Sequence, residues 1–217
     1  MLKNLIYKEL RLTVHPTMWL FPLLTAMLLI PSYPYYVAFM YICLGMYFTF
    51  LQGRETNDLF FTVTLPVRKK DVVTARVWVV CLFQLAMVVV SLPFAILSVH
   101  INPQGHNAAG MELNAAFYGL VFFMFGGFNL CFLPAFYKTG RKVGKPLLYG
   151  GGFIFVFIFA AECAAQYILS PVSAYLDVPG PAFAAQWPVL VSGVLLWVGG
   201  SELARRISVS RFERLDL

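Results

Sequence analysis

The chain has 217 residues, 60% hydrophobic, 17% aromatic and 12% charged, with a mean hydropathy of +0.75. Soluble domains are roughly half apolar and about a quarter charged, so this balance indicates a polytopic membrane protein with no room for a large water-soluble domain. The net charge of +6 is modest, and where the charges lie matters more than their sum.

Residues 1–14, "MLKNLIYKELRLTV", are too polar to span a bilayer. Leu2, Ile6 and Leu10 follow helical spacing, with Lys3, Lys8 and Arg11 between them, which predicts an amphipathic helix lying in the membrane interface. The alternative is the cytoplasmic start of the first span. His15-Pro16 predicts a helix break, because a residue before proline disfavours the α conformation.

Apolar runs at about 17–31, 35–52, 77–99, 113–137, 147–169 and 187–204 predict six spans in one transmembrane domain covering 1–217. The first is short for a hydrocarbon core of about 30 Å and must tilt little or borrow interfacial residues such as Trp19 and Tyr33. The expected fold is an all-α membrane protein: six transmembrane helices, an amphipathic N-terminal helix, and a short cytoplasmic helix between spans 2 and 3. All 16 Lys and Arg residues lie before span 1, between spans 2 and 3, between spans 4 and 5, or after span 6. Under the positive-inside rule both termini are cytoplasmic. The opposite loops carry no Lys or Arg; that before span 6 is rich in Pro and Ala and predicts a re-entrant or interfacial helix.

Between spans 2 and 3 runs "GRETNDLFFTVTLPVRKKDVVTAR", residues 53–76. Glu55 to Thr64 predicts a short helix, with Arg54 and Asp58 at i, i+4 as a weak ion pair. Leu59 and Val63 share one face, and Phe60 and Phe61 widen its apolar area. Leu65-Pro66 ends the helix, and Asp71 is a candidate cap for span 3. Such a helix either lies on anionic lipid through its basic residues or docks in a groove of a cytosolic partner.

This segment resembles the first cytoplasmic loop of small ABC-2 type transporter permeases. The family pattern is matched by Glu55, Asn57, Leu65-Pro66-Val67, Arg68-Lys69, Val72 and Arg76. The six-span layout and the N-terminal helix extend the resemblance over nearly the whole chain. Within the family the chain looks most like exporter permeases for amphipathic phenol-soluble modulin peptides. It departs from the commoner loop in Leu59-Phe60-Phe61, where more polar residues are usual.

The resemblance implies that 53–76 is a coupling segment seated in a cleft of a separate cytosolic ATPase. Glu55, Asn57, Asp58, Leu59, Phe60, Leu65, Pro66 and Arg68 would make that contact. ATP and magnesium would be bound by the partner. A second permease copy, or a related permease, would complete the pathway across the lipid bilayer, here the bacterial plasma membrane. The N-terminal helix would correspond to the family's connecting helix. No nucleic-acid partner is expected.

The chain has no glycine loop for ATP: "GRKVGKP" at 140–146 lacks the phosphate-loop spacing and its Ser or Thr. No nucleophile stands with a base, and His100, His106 and Glu112 fit no familiar metal spacing, so neither catalytic nor metal-binding residues are expected. Cys43, Cys81, Cys131 and Cys163 sit in different apolar runs and read as small buried hydrophobes.

Within the spans, Glu162 predicts either a polar point on the pathway or dimer seam, or a carboxylate bonded to a neighbouring helix or reaching the outer interface. Glu202 should pair with Arg205 and Arg206. Gln84, Asn129 and Gln166 should bond between helices. Gly126-Gly127, Gly150-Gly151-Gly152 and Gly199-Gly200 predict close packing or bending, and Pro22, Pro93 and Pro134 predict kinks. The 8 Met and 21 Phe residues suit amphipathic or lipophilic cargo. A second reading of the whole is the substrate-binding membrane component of a vitamin-type importer. Those components dock through small residues in their spans, which "TMWLFPLLTAMLLI" lacks.

Overall fold

The computed structural model describes residues 2–101, 107, 110–164 and 183–215. These residues form helices and no strands. Helix α1 (Leu2–Lys8) runs on as a π-helical turn, Glu9–Thr13. Helix α2 (Thr17–Leu20) continues as a 3-10 helix, Phe21–Leu29. Then come α3 (Tyr35–Glu55), α4 (Asp58–Thr64), α5 (Lys69–Ile101), α6 (Ala115–Tyr137), α7 (Gly144–Cys163) and α8 (Phe183–Glu213). Among these, α3, α5, α6, α7 and α8 are long and apolar enough to cross a membrane. A sixth span arises if α1 and α2 are taken as one broken element, bent by 95°. The bend falls at Val14-His15-Pro16, where proline was expected to break the helix.

The short element after the bend is lengthened by its helix type. A 3-10 helix rises about 2.0 Å per residue against about 1.5 Å in an α-helix. Thr17–Leu29 therefore covers about 24 Å instead of about 20 Å. Pro22 opens the 3-10 stretch, and the Thr25 hydroxyl donates to its carbonyl at 2.6 Å.

The predicted face of α1 is rotated. Leu5, Glu9 and Thr13 form its buried line, while Leu2, Ile6 and Leu10 are half-buried. A buried carboxylate outweighs the apolar periodicity because it has a cationic partner in the core.

The core is aromatic, with Tyr36, Phe39, Phe50, Phe117, Phe125, Phe128, Phe132 and Phe136 inaccessible to solvent. Helices α6 and α8 pack through glycines seven residues apart in each, Gly119 with Gly193 and Gly126 with Gly200. A Cβ on Gly193 would lie 1.9 Å from the Gly119 carbonyl oxygen. Gly126 and Gly200 were expected to pack closely; Gly119 and Gly193 were not singled out. Gly127 and Gly150 instead receive the Phe153 and Phe128 rings, and a methyl group on Gly151, Gly152 or Gly199 would meet nothing within 4 Å.

The Gln84 and Asn129 amides bond reciprocally at 2.8 and 2.9 Å, joining α5 to α6. Trp197 Nε1 donates to Gln84 and Asn129 donates to Ser201, bringing in α8. These are the interhelical bonds expected of Gln84 and Asn129. Gln166, His106 and residues 170–182 of the Pro- and Ala-rich segment lie outside the described residues.

Helices α5 and α8 run about 50 and 46 Å, longer than the hydrocarbon core. The first turns of α5 and the last turns of α8 meet at one end of the bundle. There Lys69 Nζ donates to the Leu215 carbonyl at 2.6 Å, Arg205 reaches Thr74, and Arg211 donates to the Pro134 carbonyl at 2.7 Å. Glu202 pairs with Arg205 and Arg206, both at 2.7 Å, as its spacing indicated.

Candidate functional site

The cationic end carries α4. Helix α3 stops at Glu55, and Asn57 adopts the left-handed conformation (φ 51°, ψ 29°) that turns the chain into α4. Among side chains other than glycine, asparagine tolerates this conformation well. The predicted helix over Glu55–Thr64 is thereby shortened to Asp58–Thr64. Leu65 ends it in extended conformation before Pro66. Asp71 lies in the first turn of α5 and is not its cap.

Asp58 does not pair with Arg54, as its spacing suggested. Arg54 meets Glu55 on the surface at 3.5 Å. Asp58 turns inward, where Arg76 Nη2 and Lys8 Nζ each donate to it at 2.5 Å. Arg76 also grips Glu9 through Nε at 2.8 Å and Nη2 at 3.0 Å, and Lys8 donates to Glu9 at 3.2 Å and to the Thr62 hydroxyl at 2.9 Å. Two cations thus face two carboxylates. The Arg76 guanidinium lies 5.5 Å from the Phe50 ring centroid, a cation–π contact.

This cluster ties α1, α3, α4 and α5 together. Arg76 and Glu9 are 2% and 1% exposed, so solvent screens their pairing little. Burial opposes the ionisation of Asp58, but the Arg76 charge and the hydrogen bonds from Lys8 and Arg76 outweigh it and hold the carboxyl below its ordinary value. Removing one partner from such a set is costly because the remaining charge stays buried.

The eight residues expected to meet a partner divide into two groups. Asp58 and Leu59 face inward, Leu59 at 7% exposure within the core. Glu55, Asn57, Phe60, Leu65, Pro66 and Arg68 are exposed. Phe61, outside that set, is also exposed, at 62%, beside Phe60 at 58%. A groove of about 610 Å³ adjoins them, lined by Arg54, Asn57, Phe60, Arg141 and Leu215 among others. Glu9 and Arg76 were not recognised as partners from the sequence. The available signal was an acidic residue in an otherwise basic segment, sharing helical spacing with Leu5 and Thr13.

Glu162 accepts from the Met111 backbone N–H at 3.2 Å. It lies at the end of α7 opposite the cationic end and bonds the non-helical segment leading into α6.

Long apolar helices, a cationic end and a helix pinned there by buried ion pairs define a polytopic membrane protein with a built polar end. A family model described as ABC-2 family transporter protein matches residues 4–183. The chain belongs to that family and is a permease component of an ABC transporter, which implies a partner ATPase. No curated protein and no solved structure matches the chain.

Proposed function

We propose that the chain is the transmembrane subunit of an ABC-2 exporter, with α4 as its coupling helix. The observation that carries this reading is the exposure of Phe60 and Phe61 on a helix whose opposite face is anchored by Asp58 and Leu59. Exposed apolar side chains at a charged end invite a partner surface. Helix α4 seats in a cleft of a cytosolic ATPase, with Glu55, Asn57 and Arg68 at the rim and Phe60, Phe61, Leu65 and Pro66 in contact. The N-terminal helix lies in the cytoplasmic interface, and both termini face the cytosol.

ATP is bound and hydrolysed by the partner. Closure of two ATPases displaces α4, and the ion pairs carry that displacement into α1 and α5. A second copy or a related permease completes the pathway through the plasma membrane. The cargo is an amphipathic peptide or a lipophilic compound, exported past an aromatic interior.

The test is copurification with an ATPase, followed by transport and ATPase assays of Phe60→Ser/Phe61→Ser and Glu55→Ala in membranes. Normal insertion with ATP hydrolysis uncoupled from transport is expected. Full transport in both variants counts against the reading.

A further inference from the structure

A second groove, of about 860 Å³, opens where α6, α7 and α8 converge at the cationic end, with Thr139 bordering it and the α4 groove alike. Lys138, Lys142, Lys145 and Arg211 line it. Leu130, Leu203 and Ile207 provide an apolar surface between them. Among the described residues no Asp or Glu lines it.

These cations differ from others at this end. Arg205 and Arg206 share the carboxylate of Glu202, and Lys8 and Arg76 are balanced by Glu9 and Asp58. Lys138, Lys142, Lys145 and Arg211 form no ion pair among the described residues. Arg211 is held in place by its bond to the Pro134 carbonyl. The 20-residue α7 begins here with Val143 as N-cap, which offers its first amides no side-chain acceptor. The positive end of that helix adds to the attraction for an anion.

We infer that this groove binds the headgroup of an anionic phospholipid, with an acyl chain lying along Leu130, Leu203 and Ile207. A soluble phosphate would meet the cations but leave the apolar surface uncovered. A zwitterionic lipid would cover that surface but gain little from unpaired positive charge. An anionic lipid satisfies both, as basic pockets between membrane helices do. The bound lipid would bridge α6, α7 and α8, which goes beyond the transport reading and does not require it.

The full chain in neutral detergent is titrated with phosphatidylglycerol or phosphatidylcholine, and bound lipid is counted by native mass spectrometry. Lys138→Gln/Lys142→Gln/Lys145→Gln should weaken phosphatidylglycerol binding by about tenfold or more. The charge-matched control Lys3→Gln/Arg206→Gln/Arg214→Gln, at exposed positions outside the groove, should change it by less than about threefold. Should the triple variant fail to accumulate, Lys138→Gln alone should weaken binding by about fivefold, against less than about twofold for Arg214→Gln alone. Equal weakening in groove and control variants, or none in the groove variants, would overturn the site. So would equal retention of phosphatidylcholine by the unaltered chain, or displacement of the lipid by millimolar glycerol phosphate. Normal lipid binding by a groove variant that no longer retains an ATPase would assign the groove to that partner and overturn the proposal.

Discussion

Arg76 on α5 holds Glu9 of the N-terminal helix with two hydrogen bonds, at 2.8 and 3.0 Å, deep in the cationic end of the bundle. The same guanidinium reaches Asp58 on α4. Three segments far apart in sequence are therefore joined at one side chain.

Loss of that side chain should be severe. Arg76→Met leaves Glu9 and Asp58 facing Lys8 alone and should lower stability by about 3–5 kcal/mol. Glu9→Gln/Arg76→Met restores charge balance and should recover part of the loss. Thermal unfolding in detergent reads both, and equal instability of the two variants would mean that packing, not charge, dominates.

The Asp58 carboxyl is held below its ordinary value. Its contribution to stability is fully present above the unfolded-state pKa of about 3.9 and is lost as pH falls through the lower folded value. Asp58→Asn should be less stable than the unaltered chain at neutral pH, and the gap should narrow below about pH 4. A gap that stays constant in melting experiments at pH 7 and 3 would show that the carboxylate charge is not what stabilises α4.

Neighbouring residues on α4 should behave oppositely. Leu59→Ala removes a core side chain and should cost about 2–4 kcal/mol. Phe60→Ser and Phe61→Ser should change stability by less than about 0.5 kcal/mol. Their effect should appear in ATP-coupled transport. Comparable melting shifts at all three positions would contradict the exposure pattern.

The approach of α6 and α8 leaves no room for a methyl at Gly193. Gly193→Ala should destabilise by about 1–3 kcal/mol or more, since the obstacle is the Gly119 backbone and not a movable side chain. Gly199→Ala, in the same helix with nothing within 4 Å, should be neutral. Paired melting curves decide the matter.

Much was legible in the chain itself. Hydropathy marks the long helices because backbone groups in lipid must bond within their own segment. Pro16 and Pro66 mark breaks because a ring nitrogen cannot donate and restricts the residue before it. The pair Glu202–Arg205 was legible because its partners share one helix face.

Three-dimensional packing decided the rest. Asp58 had a partner at i−4, yet it turned to Arg76 and Lys8. A buried pairing is screened less by water than an exposed one, and no local spacing encodes which distant helix supplies the counter-charge. The same choice rotated α1 to bury Glu9, drew Leu59 into the core and left Phe60 and Phe61 outside. Hydropathy is a property of each residue in turn; which side chains complete a neutral buried cluster depends on contacts among α1, α4 and α5 that exist only once the helices are assembled.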